Sequence, residues 1–469
     1  MICTTFSIFF KSEFSRTRSW LLFCGILLSF LAAPEMIGVT SICRYWLSDD
    51  RGYSRLLHFF RADAYDLGGL RHCWHRFVLS HYPLVKYANR LVVLVDHSYV
   101  VKDGRRMPGV VSQRQLSETQ SKPSYFRGQC WGAAGLLVGS FSACFCLPLT
   151  LQIHQGFQHL GEVDSDDSLT ERAVRMALDF AVRNDRMAWL VLDAYFSVAP
   201  VFRLATSVWS VKDKQPYLQI VTRAKKNYVA YFPPPPPTGK PGRPRTYGDK
   251  MVLWETFDHS DLFYTVEMDI YGHKDTVQLM VSDLLWRPLG DYVRFVWAIT
   301  SRGPIVLMCS DLTATPEQVL ALYCRRIRIE TLFDTLKNKM GAFNFHFWSR
   351  YLPRHSRQAK SNKQLKTPLS EHVDKVIACW RAMETFVFCA SVATGILQLF
   401  SLRYHESLWK QQVLYLRTRS RELPSENTVR QILAPLLARH LWQSRQNTLL
   451  QEIRQALEGE EEPDKSLFG

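Results

Sequence analysis

Apolar and polar positions follow two textures along the chain. Up to about residue 88, apolar residues recur at helical spacing in short segments. Aromatic and basic residues are interleaved among them, including Arg44, Tyr45, Trp46, Arg51, Arg55, Arg61, Arg71, Trp74 and Arg76. This predicts a set of short helices. From residue 89 the pattern tightens. "NRLVVLVDHSYVV" (89–101) is a continuous apolar run ending in Asp96, as expected of a strand buried on both faces. "WGAAGLLVGSFSACFCLPLTLQI" (131–153) predicts two further strands joined by a tight Gly-Ser turn. In "SLTERAVRMALDFAV" (168–182), Ser168 is followed three residues later by Glu171, a capping box that opens a helix. "MAWLVLDAYFS" (187–197) is a second buried strand ending in an acid, Asp193, and "LQIVTRAKKN" (218–227) is another strand. Strands, a helix, then strands indicate an α/β sheet domain.

A proline run starting at Pro233, "PPPPPTGKPGRPRTYG", interrupts this order. Proline lacks the amide donor and favours extended geometry, so no regular element forms there. Beyond it, segments alternate like antiparallel strands up to about residue 310. Thr315 as N-cap and Pro316 at the first helical position then start a helix predicted to run through Lys337. Residues 354–366 carry Arg354, Arg357, Lys360, Lys363 and Lys366 without an acid and read as a basic linker. Residues 369 to about 458 are helical, and an acidic tail follows.

The composition narrows the choices. The chain has 469 residues, of which 47% are hydrophobic, so it is globular and long enough for two to four domains. A formal charge of +15 favours a polyanionic partner, most often nucleic acid, with an anionic membrane surface as the competitor. The 11 cysteines form no CxxC pair and read as reduced thiols, neither disulfides nor zinc ligands. Lys11, Arg16 and Arg18 precede "WLLFCGILLSFLAA" (20–33), which looks like the charged and apolar parts of a signal peptide. The run is too short to span a bilayer comfortably, and helical periodicity continues through residues 39–47. A buried helix is the favoured reading; a secreted or membrane-associated basic protein is the alternative.

The chemistry centres on "YCRRIRIETLFDTLK" (323–337). On one straight helix Tyr323, Arg326, Glu330 and Lys337 fall within a stripe about 60° wide. Such a stripe is ordinarily just the wet side of an amphipathic helix. Each strand-end aspartate, taken singly, is ordinarily a turn former. Together, Asp96, Asp193 and Glu330 form a set of hard carboxylates suited to Mg²⁺ or Mn²⁺. Such a set can hold two ions about 3.5–4 Å apart around a phosphodiester. Arg326, Lys337 and the Tyr323 hydroxyl supply phosphate grips along the same stripe.

These residues carry a resemblance. Tyr323, Arg326, Glu330 and Lys337 match the Y-x2-R-x3-E-x6-K signature of a large group of bacterial insertion-sequence transposases with a DDE active site. Asp96 with Ser98 resembles their first catalytic motif (D-x-S/T), and Asp193 with Phe196 the second (D-x-x-F/Y). The resemblance covers nearly the whole chain. It implies an α/β fold: a ribonuclease-H-like catalytic core interrupted by a β-strand insertion, with helical N- and C-terminal domains. The expected layout is a helical DNA-binding domain (1–88), the first part of the core (89–227), the β-rich insertion (228–312), the core helix with Glu330 (313–353), the basic linker (354–368) and a helical domain (369–469).

By the same resemblance, Asp96, Asp193 and Glu330 would be catalytic and would hold two Mg²⁺ (or Mn²⁺) ions per active site. The protein would bind the terminal inverted repeats of its mobile element, cleave the ends by metal-activated hydrolysis and join the 3′ ends to target DNA. Its partner would be double-stranded DNA, element ends and target alike. A homodimer on DNA is expected because two ends must be brought together. Neither a membrane nor a small-molecule substrate is expected, and the place of action would be the bacterial cytoplasm at the nucleoid. In this group excision often passes through a hairpin, and an aromatic of the insertion can hold a flipped base. Trp254, Trp286 and Trp297 are candidates for that role or for sheet core. Arg223, Lys225 and Lys226 face the DNA backbone or form a solvated strand end. "GKPGRPR" (239–245) resembles an AT-hook core, with Arg243 and Arg245 entering a narrow minor groove, or is a solvated basic loop. His97 points away from the Asp96 side and reads as structural. The second functional reading is a transposase-derived DNA-binding protein whose catalytic site no longer works. The complete set of three acids argues against it.

Overall fold

The computed structural model describes residues 9–114, 125–156, 167–236, 245–270, 273–354, 372–411, 422–443 and 448–458. Most of the basic linker, the acidic tail and the hook-like segment with Arg243 lie outside the described residues.

The signal-like run folds as helix α1 (Thr17–Ala32), apolar nearly all round and correspondingly buried nearly all round. It stops before Pro34, and Gly38 takes φ 143°, so residues 39–47 belong to a separate helix, α2 (Val39–Trp46). The Trp46 indole donates to Ser29 Oγ at 2.9 Å and locks α2 onto α1. Helices α3 (Asp50–Arg61) and α4 (Leu67–His81) follow, with Asp49 and Asp66 capping them through the amides of Gly52 and Gly69.

The sheet begins with an antiparallel meander of β1 (Arg90–Val101), β2 (Tyr125–Gly139) and β3 (Cys144–Ile153). Helix α5 (Leu169–Arg183), opened by the Ser168–Glu171 capping box, crosses to β4 (Ala188–Val191), which lies parallel to β1. Helix α6 (Ala199–Ala205) leads to β5 (Leu218–Arg223), parallel to β4. The order β3-β2-β1-β4-β5 is that of a ribonuclease-H-like mixed sheet. One expectation is corrected here. Asp96 does not end its strand, because residues 98–101 keep pairing with β2 after β4 has turned away.

Strands β6 (Tyr264–Ile270), β7 (His273–Trp286), β8 (Asp291–Thr300) and β9 (Gly303–Cys309) come from the β-rich segment. They are antiparallel, and β9 pairs with β5 through Leu307↔Arg223 and Cys309↔Val221. The segment therefore extends the core sheet at its β5 edge. Trp286 and Trp297 are buried in it, and the Trp297 indole donates to the Leu253 carbonyl at 2.6 Å, so both serve as sheet core. Trp254 is half-buried, with the Lys226 ammonium 4.9 Å from its ring centroid.

The expected continuous helix over 316–337 is three pieces: α7 (Pro316–Cys324), α8 (Ile327–Asp334) and a π turn, Thr335–Lys339. At the first joint the bonds tighten to i→i−3, with Arg326 N donating to Tyr323 O and Ile329 N to Arg326 O. Arg325 turns inward there and donates to the Phe141 carbonyl at 2.8 Å while lying over the Phe141 ring. The stripe computed for a straight helix is thus bent at both ends.

Helices α9 (Val373–Gln411), α10 (Glu426–Gln443) and α11 (Thr448–Glu458) follow among the described residues. Helix α9 is long and apolar enough to cross a membrane, but 89% of its apolar window is buried inside the protein. It packs on α1, with Phe30 and Phe386 in edge contact at 5.1 Å, and on β3. Several basic residues of the first helices are bound by later parts of the chain. Arg55 donates to the Leu457 carbonyl, Arg61 to Trp348 O, and Arg71 to Glu384. The first and last helical segments therefore share one hydrophobic core with the sheet.

Candidate active site

Register positions two of the three acids. Leu94 pairs with Val191 across the parallel β1–β4 ladder, so Asp96 and Asp193 each lie two residues beyond that last pair, level on neighbouring chains. Adjacent strands run about 4.8 Å apart. Past Val191 the chain leaves the ladder and makes a single 3₁₀ turn, Ala194–Phe196, with Asp193 as its N-cap. Thr222 of β5 donates to the Asp193 carbonyl at 2.8 Å and fixes the exit from the other side.

The third acid comes from α8. Arg326 is the junction: its guanidinium meets Asp96 Oδ2 at 3.4 Å and also the Glu330 carboxylate one turn along. Burial alone would lower the Arg326 pKa, but Asp193, then Tyr323, Asp96 and Glu330 outweigh it and hold it above the usual value. Burial pushes the Asp96 carboxyl up to about 6, against the pull of Arg326 and of the His97 amide; Asp193 and Glu330 add to the rise. The His97 amide donates to Asp96 Oδ1 at 2.8 Å. Glu330 is exposed and Asp193 half-buried, so the group opens to solvent.

Lys337 lies beyond Glu330, within the π turn. Its ammonium donates to Ser98 Oγ and, at 3.1 Å, to the Tyr99 carbonyl, tying this turn to β1 just past Asp96. Tyr323 is buried and shares a cleft of about 240 Å³ with Arg223, Arg302, Leu320 and Arg326. Lys225 and Arg245 are exposed, Lys225 over the Tyr228 ring at 5.9 Å. The structure therefore brings together Asp96, Asp193, Glu330, Arg326, Lys337, Tyr323 and Arg223. Lys225 and Arg245 are not part of that set of contacts, and Arg243 is not among the described residues.

As placed, the carboxylates surround the Arg326 guanidinium. Among the described residues no three acids, histidines or cysteines are grouped tightly enough to enclose one ion. The donor set still fits hard divalent cations: three carboxylates converge on one cationic group, whose place a metal charge could take. Sequence reasoning missed Arg302 in the β8–β9 turn, although "TSRG" (300–303) between two alternating runs marks a hairpin tip. It also missed the partners of His97, which are His154 and Phe196.

A ribonuclease-H-like sheet with Asp96 and Asp193 just past the last pair of its central parallel ladder, and Glu330 beside them on the later helix α8, points to a nucleic-acid-processing enzyme. Comparison with known families agrees. A family model described as DDE superfamily endonuclease matches residues 10–261, more than half of the chain, and the chain belongs to that family. The matched span includes Asp96 and Asp193 and ends before Glu330. No curated protein matches the chain.

Proposed function

We propose that the protein is a DDE transposase that cuts the ends of its mobile element and joins them to target DNA, with Asp96, Asp193 and Glu330 as its catalytic acids. The observation that carries the reading is the level placement of Asp96 and Asp193 beside the arginine that also holds Glu330. A pair of bound Mg²⁺ or Mn²⁺ ions would supply Lewis acidity at the attacking and leaving oxygens of the phosphodiester. The three carboxylates would hold them. Arg326, already between two acids, would exchange these partners for a DNA phosphate, which its planar fork suits. Lys337 fixes the π turn against β1, keeping the Glu330 helix at a set distance from Asp96. Tyr323, Arg223 and Arg302 line the adjoining cleft and offer it one hydroxyl and two further guanidinium groups. A homodimer would bring two ends together, and the net charge of +15 suits double-stranded DNA.

The test separates binding from joining. A duplex carrying the element's terminal repeat, already cut to expose its 3′ hydroxyl, is mixed with plasmid target and Mg²⁺. Wild type should join it, whereas Glu330→Ala should bind it with similar affinity and leave it unjoined. Joining by Glu330→Ala would remove that residue from the catalytic set. Specific binding without joining by wild type would favour the reading as a transposase-derived DNA-binding protein.

A further inference from the structure

The β1–β4 ladder stops at Leu94 and Val191, two residues short of the acids. Beyond that point, a link between the two acid-bearing segments runs through side chains on the opposite face. The His97 ring lies flat on Phe196, with centroids 5.5 Å apart and planes 9° apart. Phe196 is fully buried and closes the 3₁₀ turn that starts at Asp193, its amide donating to the Asp193 carbonyl at 3.0 Å. On its other side, His97 Nε2 sits 3.0 Å from Nδ1 of His154, a buried residue just past β3 whose amide is held by Cys130 O at 2.9 Å. Gly132 pairs with His97 across β1–β2, and a Cβ there would come within 2.1 Å of the His154 ring. The glycine is therefore what makes room for the second imidazole.

We propose that His97, stacked on Phe196 and braced by His154, is a positioning residue that fixes the spacing of Asp96 and Asp193 beyond the end of their ladder. This rests on the reading of those acids as metal-holding. Two ions at a set separation tolerate little error in their ligands, and supporting residues around metal ligands commonly change affinity by about 10–100-fold when altered.

Mn²⁺ binding to the full chain, followed by electron paramagnetic resonance without DNA, tests it. Asp96→Ala serves as the control, and melting temperatures report folding. His97→Ala should bind Mn²⁺ at least about tenfold more weakly than wild type. His97→Phe, which keeps a flat ring on Phe196, should recover most of that loss. Phe196→Leu, which keeps an apolar side chain at the site but not the stack, should resemble His97→Ala and serves if His97→Ala does not fold. Wild-type affinity in folded His97→Ala or Phe196→Leu would overturn the clamp, as would failure of His97→Phe to recover any affinity. Undiminished Mn²⁺ binding by Asp96→Ala would instead overturn the carboxylate reading, and the clamp with it.

Discussion

Glu384 offers a direct measure of how firmly the two ends of the chain are joined. Its Oε2 meets Arg71 of α4 at 2.8 Å, and its Oε1 accepts from the Ile153 amide at 3.0 Å and the Trp380 indole at 3.1 Å. The two charged side chains are only 14% and 11% exposed. One carboxylate thus binds an early helix, the end of a sheet strand and the long late helix. Glu384→Ala leaves the Arg71 charge buried without its carboxylate and strips two N–H donors of their acceptor; breaking such a pair costs about 3–5 kcal/mol. Glu384→Gln keeps an oxygen for the two N–H groups and loses only the charge-assisted bond, about 1.5–3 kcal/mol. In Arg71→Met/Glu384→Met the unpaired charge is gone, so its loss should be well below the sum of the single changes. Urea unfolding of wild type, Arg71→Met, Glu384→Met and the double variant gives the coupling energy, and amide exchange at Ile153 gives the local readout. Strictly additive losses, within about 0.5 kcal/mol, would refute the pairing and the shared core built on it.

Three further outcomes follow from the same geometry. Burial pushes the His75 imidazole down to about 3, so the unfolded chain, with a pKa near 6.5, takes up the proton first and stability falls as pH drops from 6.5 toward 3. Between pH 7 and 5 this amounts to about 2 kcal/mol; melting curves of wild type and His75→Gln should differ in pH slope by that amount, and equal slopes would contradict it. Lys337→Met removes the bonds to Ser98 and Tyr99 and should slow end cleavage about tenfold or more, as a barrier change of about 1.4 kcal/mol does; an unchanged single-turnover rate would count against the role given to the π turn. Gly132→Ala drives a methyl into the His154 ring and should cost about 1–3 kcal/mol, read as a lower urea midpoint; an unmoved midpoint would show that the imidazole pair can give way.

Much of the site was legible because local patterns report it. The two apolar runs leading to Asp96 and Asp193, and the capped start at Thr315, follow from periodicity and turn chemistry alone. What escaped the sequence depends on long-range pairing. Whether β1 stops at Asp96 is decided by β2, which keeps pairing after β4 departs. The bend between α7 and α8 depends on Arg325 finding the Phe141 carbonyl 184 positions away. The sequence could not show how Arg55, Arg61 and Arg71 are held, because the partners that bind them lie hundreds of residues later. Strand β9 joins the core sheet by pairing with β5, a register that alternation within the segment does not encode. His97 was read correctly as facing away from Asp96, but its stack on Phe196 needs two segments about a hundred residues apart to meet.

The most direct test of the central claim is cleavage of a labelled duplex bearing the DNA that flanks this gene at the element's end. Wild type, Asp96→Asn, Asp193→Asn and Glu330→Gln would be compared in Mg²⁺, in Mn²⁺ and in chelator. Metal-dependent nicking at the element boundary by wild type, lost in all three variants while their binding to the same duplex persists, is the result this account predicts. Nicking that survives in any of the three, or that continues in chelator, would contradict it.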